Sequence, residues 1–309
     1  MKSYRRLMLG RGSNHAAECV AGNFIGVDFN IHQDLSGDLA DDWRVFNKKF
    51  IPFYMRAHPD KSKVAAGLAC GALWTVIKGL NNEDVVICPD GEGRYRIGEV
   101  AGNYYYSPGK ILPHRRPVRW LSQTIDRASM SESLQNSTST WLTISDVSKF
   151  HDELERLISG SPPQSITTTD NTIEDPSTFA METHLEDFLV QNWAQTELGK
   201  EYDIYSEDGE LVGKQFPADN RDRIDVLAIS KDKKTLLVVE LKRGRASDVV
   251  VGQILRYMGY VHEELAEDDQ TVKGIVIALD NDPKLRRAIA MVPSISFYRY
   301  QVSFKLIKA

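Results

Sequence analysis

The stretch Val238–Val261, VVELKRGRASDVVVGQILRYMGYV, decides how this chain is read. It starts as the hydrophobic run of a buried strand, meets Glu240, Leu241 and Lys242, and then breaks into a burst of charge. Side chains alternate along a strand, so Glu240 and Lys242 point to the same side of it. A carboxylate and an ammonium carried into a sheet need partners, because an uncompensated buried charge is costly. Either both sit at a solvated strand end, or the strand delivers them to a site.

The neighbouring segments favour delivery. RIDVLAIS (223–230) reads as a strand, KDKK as a turn, and TLLVVELK (235–242) as the strand returning antiparallel to it. Ile224 and Val226 point to one face, so Asp225 projects alone from the other. The pairing brings Asp225 to the Glu240 end. Two carboxylates at adjacent strand ends, with the carbonyl of Leu241, make the oxygen-rich pocket that Mg2+ (or Mn2+) prefers. Lys242 adds a cation that can position or help deprotonate a water and stabilise charge on a phosphate. SDVVVGQILRYMGYVHEELA (247–266) reads as a long helix opened by Ser247 and Asp248, with Gln253 and Tyr257 four residues apart on one face. METHLEDFLVQNWAQT (181–196) reads as an earlier helix, with Phe179, Leu185, Phe188, Leu189 and Trp193 along one face. Its Glu182 or Glu186 would complete a metal shell.

The ordered set Asp225, Glu240-Leu241-Lys242 and Gln253, eleven residues after Lys242, resembles the PD-(D/E)XK nuclease pattern. The wording is most similar to the NucS-type (EndoMS) nuclease domain and its Mrr-like relatives, over about residues 179–309. The resemblance implies a restriction-endonuclease-like α/β fold and metal-dependent hydrolysis of DNA. It implies that Asp225 and Glu240 bind the metal, that Lys242 is catalytic, that Gln253 and Tyr257 sit in the site, and that a glutamate of the first helix joins them. Glu182 is preferred there, because it stands ten residues before Asn192 and begins a Glu-x-x-Leu pattern. The proline of the pattern's name is replaced by Ile224 before Asp225. Arg243 and Arg245 follow, either as phosphate contacts or as a solvated turn.

With 309 residues the chain has room for two domains. The expected division is 1–160 and 179–309. Between them, 161–178 is rich in Ser, Thr and Pro, has no basic residue and reads as a flexible linker. The net charge of −5 excludes a global basic field, so contact with nucleic acid must come from local patches. The three cysteines follow no metal spacing and fit buried thiols in a reducing, cytoplasmic setting. No apolar run approaches the ~18 residues of a membrane span. MKSYRRLMLGRGSNH, basic but without a long apolar core behind it, reads as part of the fold rather than as a signal peptide.

The first half reads as short strands broken by glycines with helices around them, which is the pattern of a small barrel. SNHAAECVAG (13–22) is expected to be a helix capped by Ser13 and stopped by Gly22. Aromatic and basic residues interleave in PDGEGRYRIGEVAGNYYYSPG and LPHRRPVRW. Such interleaving suits nucleic acid, with rings on bases and guanidinium groups on phosphates, but also suits half-buried hairpin packing. Roughly residues 1–125 resemble the recognition domains of some Mrr-like restriction enzymes and a PUA/EVE-type barrel, which holds modified bases in an aromatic cage. The resemblance points to Phe29, Trp74, Tyr104 and Tyr106 as pocket residues, with Arg115 and Arg116 on the nucleic acid. The expectation is a modification-dependent, type IV-like restriction endonuclease, its first domain choosing the DNA, with a dimer favoured if both strands are cut. The alternatives are a mismatch- or branched-DNA repair endonuclease, and a binding protein without cleavage activity.

Overall fold

The computed structural model describes residues 2–160, 185–207, 209–218, 222–281 and 283–300. The chain divides into two units, Met1–Thr167 and Thr168–Ala309, each with its own sheet. The expected linker lies outside the described residues. Among the described residues, no helix is long and apolar enough to cross a membrane.

The first unit contributes β1 (Tyr4–Leu7), β2 (Phe24–Val27), β3 (Val85–Pro89), β4 (Arg94–Val100), β5 (Tyr105–Tyr106), β6 (His114–Asp126) and β7 (Ile144–Asp146). They form one sheet ordered β2-β6-β4-β3-β1-β7, with β5 also on β6. Only β1 and β3 run parallel; the other neighbours are antiparallel. The path is open, with β2 and β7 at its ends, so the expected closed barrel is not formed among the described residues. Two helices cover part of the sheet. Trp43–Ala57 starts where Asp42 accepts the Arg44 N–H, and buries Phe46, Phe50 and Tyr54 at four-residue spacing. Lys63–Trp74 is capped by Ser62 and buries a run of small residues from Val64 to Cys70, which lets the two helices approach closely. Buried Asn47 ties them by donating to the Gly67 carbonyl at 3.2 Å. Ser13 does not cap the following helix, Ala16–Ala21, as expected. It ends a tight turn, and its hydroxyl faces the Met8 sulfur at 3.3 Å.

The second unit contributes β8 (Tyr202–Ile204), the small hairpin β9 (Ser206–Glu207) and β10 (Glu210–Leu211), β11 (Lys214–Pro217), β12 (Arg223–Ser230), β13 (Thr235–Ala246), β14 (Thr271–Asn281) and β15 (Ile295–Arg299). The main sheet runs β11-β12-β13-β14-β15, and β8 pairs with the far end of β12. The strands β12 and β13 are antiparallel; β13, β14 and β15 are parallel. Parallel neighbours need crossover connections. These are the helices Val249–Tyr260 and Pro283–Ala290. Alternation along β13 separates two faces. Leu237, Val239 and Leu241 join Trp193, Val226, Ala228 and Ile277 in a core on one side. Glu240 and Lys242 therefore face the other side, where helix Val249–Tyr260 packs. Residues 185–191 are helical and precede a tighter turn at Trp193–Gln195. Trp193 is buried and Leu189 half-buried, but Phe188 is 66% exposed and so leaves the expected apolar face. Phe179 lies outside the described residues.

The edge of this sheet turns on Gly213. Its N–H donates to the Tyr205 carbonyl at 2.8 Å, and its own carbonyl accepts the Leu227 N–H at 2.7 Å. A β-carbon at this position would stand 2.0 Å from the Leu227 carbonyl oxygen, which is backbone and has nowhere to go. Gly213→Ala is therefore expected to destabilise the protein by about 1–3 kcal/mol. Thermal melts check this; a variant as stable as the parent would show that the edge has room to adjust.

Candidate active site

The site begins with strand pairing. Val226 pairs with Val239, so one step outward Asp225 and Glu240 stand side by side on neighbouring strands. There the Asp225 side chain takes over from the backbone ladder: its Oδ2 accepts the Leu241 N–H at 2.7 Å. Asp225 is half-buried and Glu240 only 2% exposed. Two residues on, Lys242 folds back so that its Nζ donates to Glu240 Oε1 at 2.8 Å. The sequence pattern of carboxylate, spacer and lysine thus becomes one ion pair at the edge of a buried patch.

Helix Val249–Tyr260 presents Gln253 and Tyr257 together, and the Gln253 amide donates to the Tyr257 hydroxyl at 3.3 Å. Tyr257 is buried, and burial raises its pKa. The Gln253 hydrogen bond acts the other way, and the charge of Glu240 adds to the rise, which places this hydroxyl within electrostatic reach of the carboxylate.

A third carboxylate reaches the patch from the helical residues 185–191. It is Glu186; Glu182, the preferred candidate, lies outside the described residues. Burial, followed by the charge of Asp225, pushes the Glu186 carboxyl up to about 7. Its Oε2 accepts from the Gln215 amide at 2.6 Å, and the same amide reaches Asp225 Oδ1 at 3.2 Å. Among the described residues, Glu186 Oε1 is buried and accepts no hydrogen bond. Lys214 stands 3.8 Å from it and is paired with Asp187. Lys214, Gln215 and Asp187 were not anticipated from sequence. The strand that carries the first two, Lys214–Pro217, is only four residues long and largely polar, so no hydrophobic periodicity announces it.

Asp225, Glu240 and Glu186 offer oxygen ligands only, the set suited to Mg2+ or Mn2+. The crowding of Glu186 against Asp225, with one buried oxygen lacking a hydrogen bond, is relieved by a cation, so the residues present fit one. Among the described residues no cluster of three or more His, Cys, Asp or Glu forms a ready-made cage. Mg2+ is commonly held by one or two carboxylates, with waters and phosphate completing the shell. The Leu241 backbone enters the site through its N–H, as a donor to Asp225. Arg245 is exposed at the end of β13, and the side chain of Arg243 lies outside the described residues.

In the first unit the expected nucleic-acid residues are largely committed to structure. Arg116 is only 4% exposed and donates to the carbonyls of Gly102 at 2.6 Å and Leu80 at 2.9 Å, so it is not available to a phosphate. Arg115 donates to the carbonyls of Leu112 and Ile111 and lies 3.8 Å over the Phe24 ring. Trp74 donates to the Ala40 carbonyl at 2.8 Å. Phe29 meets Tyr54 edge-on, and Tyr106 leans on the His114 ring with centroids 5.2 Å apart. His114 is fully buried. Its Nε2 is 2.7 Å from the Ile31 carbonyl, and its Nδ1 is 3.0 Å from the Tyr104 hydroxyl, which also accepts the Leu35 N–H at 3.2 Å. These rings brace one another and the nearby backbone.

The fold and site define a two-unit α/β protein whose second sheet carries an acidic cluster and a lysine at adjoining strand ends. Residues 7–148 match the model of a family described as a domain of unknown function, DUF8426. No curated protein matches the chain. Among solved structures it is similar to a repair endonuclease from Pyrococcus abyssi, with 14% identity over 69% of this chain and 66% of the other, at a TM-score of 0.31. It is also similar to EndoMS in a dsDNA complex (13% identity, 68% and 62%, TM-score 0.32) and to EndoMS in its apo form (16% identity, 72% and 79%, TM-score 0.30). The chain spans just under two thirds of the first two.

The Glu186 environment predicts a pH dependence. A carboxyl whose folded pKa lies above its unfolded value contributes stability below the unfolded value and loses it as pH rises through the folded one. For Glu186 that window runs from 4.5 to about 7. In chelator, Glu186→Gln should therefore be more stable than the parent at pH 8, by on the order of 1–3 kcal/mol, and gain little at pH 4.5. Melts of the two proteins across this range test the assignment; parallel profiles would sink it.

Proposed function

We propose that this chain is a divalent-metal-dependent DNA endonuclease. The observation that supports it best is the juxtaposition of Asp225, Glu240 and Glu186 at one patch, with Lys242 held against Glu240. Asp225, with Glu240 or Glu186 beside it, would hold Mg2+ or Mn2+, waters and phosphate completing the shell. Such an ion supplies Lewis-acid polarisation of the phosphate and lowers the pKa of the attacking water. The chain's own residues do the rest. Glu240 fixes the Lys242 ammonium at the rim, where it can steady charge building on a phosphate oxygen. Tyr257, held by Gln253, walls the buried side near Glu240. Arg245, exposed beyond the same strand, is suited to the DNA backbone.

How the substrate is chosen has two readings. A modification-dependent restriction enzyme needs an open aromatic pocket, and the residues nominated for it are engaged in structural contacts. A repair-type endonuclease that selects a DNA structure fits at least as well, because it requires no base cage. Both keep the first unit as the part that selects DNA.

A cleavage panel over modified, mismatched and single-stranded DNA, with Mg2+ or Mn2+, tests the proposal and separates the two readings. Asp225→Asn and Glu240→Gln should abolish cutting while leaving the melting transition in place. Lys242→Ala should lower turnover by about 10²–10⁴-fold without weakening metal binding. Wild-type cutting by the Asp225 or Glu240 variant would defeat the site assignment, and a matched fall in metal affinity would defeat the role given to Lys242.

A further inference from the structure

Gln215 occupies a place in the second unit that neither its residue type nor its strand requires. On either side of it Lys214 pairs with Val226 and Phe216 with Ile224, so Gln215 faces Asp225 across the ladder. Its φ is +48°, in the left-handed region that side-chain-bearing residues rarely adopt and hold only at a cost in strain. A glycine would occupy that backbone without strain. The chain instead keeps a glutamine there, and its side chain is fully used. Only the amide nitrogen can face two carboxylates, since its oxygen would be repelled by both. That nitrogen lies 2.6 Å from Glu186 Oε2 and 3.2 Å from Asp225 Oδ1, so its two N–H groups span the pair.

Glu186 comes from a helix and Asp225 from a strand, and the Gln215 amide joins the two side chains. Two negative groups crowded at a buried patch would otherwise turn apart. The bridge takes one oxygen from each. Asp225 Oδ2 is fixed by the Leu241 N–H, and Glu186 Oε1 remains without a hydrogen bond. The carboxylates are thereby held at one spacing and one orientation before any cation arrives.

We propose that Gln215 is the positioning residue of this site: its amide clamps Glu186 to Asp225, and the left-handed backbone at 215 is what aims the amide at them. The proposal deepens the metal-dependent reading and rests on it for its consequence, which is that the clamp raises affinity for the ion. Residues that orient metal ligands typically change affinity by about 10–100-fold when removed.

Two measurements on the full-length chain test this. In chelator, Gln215→Met removes the donors and keeps the length. It should lower the melting midpoint in the parent background and have little further effect when Glu186→Ala is already present. Equal drops in both backgrounds would overturn the clamp. Gln215→Gly removes the amide and relieves the backbone, so it should melt above Gln215→Met; a lower midpoint would overturn the claim that the left-handed turn is strained. In calorimetric titrations with Mn2+, both Gln215 variants should bind about 10–100-fold more weakly than the parent. Unchanged affinity would overturn the positioning role. If the parent itself bound no Mn2+ while the melts remained coupled, the clamp would stand and the metal-dependent reading would fall.

Discussion

The hydrogen bond from the Leu241 N–H to Asp225 Oδ2, at 2.7 Å, is the constraint on which the second unit's site depends. It sits where β12 and β13 stop pairing through their backbones. A strand ladder left open at such a point exposes donors that must be satisfied. Here a side chain satisfies one of them, which fixes Asp225 against the neighbouring strand and sets its distance from Glu240. The remaining groups are arranged around that fixed pair: Lys242 two residues along the same strand, Tyr257 from the covering helix, Glu186 and Gln215 from the opposite edge.

The balance of charge at this patch is uneven by design of the fold. Lys242 answers Glu240, and Lys214 is turned toward Asp187, leaving Glu186 and Asp225 to share an amide. An amide donates hydrogen bonds but brings no charge, so it holds the two carboxylates together without neutralising them. A site built only for stability would place an arginine there or replace the acids with apolar groups, since buried charges are poor stabilisers. An acidic patch held in shape by an uncharged donor is suited to receiving a cation.

Much of this was legible in the sequence. The alternation in RIDVLAIS and TLLVVELK places Asp225, Glu240 and Lys242 on one face, and the four-residue spacing of Gln253 and Tyr257 pairs them. These are local relations, set by the pleat of a strand and the pitch of a helix. The glutamate of the first helix was not decidable that way, because Glu182 and Glu186 are one turn apart and share a face. The tertiary approach of residues 185–191 to β11 brings Glu186 to the patch, while Glu182 lies outside the described residues. Gln215 was invisible for a related reason: it sits on a strand of only four residues, too short to show alternation, and its left-handed backbone carries no signature in a residue that is not glycine. In the first unit, composition alone does not separate structural groups from ligand-facing ones. Arginines and tyrosines that look ready for nucleic acid are the ones that fasten the loops to an open sheet. A guanidinium donating to backbone carbonyls, as Arg116 does, has the same sequence appearance as one awaiting a phosphate.

The chain of contacts through His114 also has a direction. The Ile31 carbonyl can only accept, so the imidazole proton resides on Nε2, and Nδ1 must accept from the Tyr104 hydroxyl. The tyrosine oxygen in turn accepts from Leu35. Every proton points the same way, from the Leu35 amide toward the Ile31 carbonyl, and the chain closes on the loop from which it started. A ring wired in this sense is neutral, in keeping with the burial that lowers its pKa. Charging His114 would make Nδ1 a donor, and the Tyr104 hydroxyl would have to turn its own proton away to accept from it. The loop from Ile31 to Leu35 is thus latched by a neutral histidine, and the burial that holds its pKa below the ordinary value keeps the latch shut where an exposed imidazole would already take up a proton.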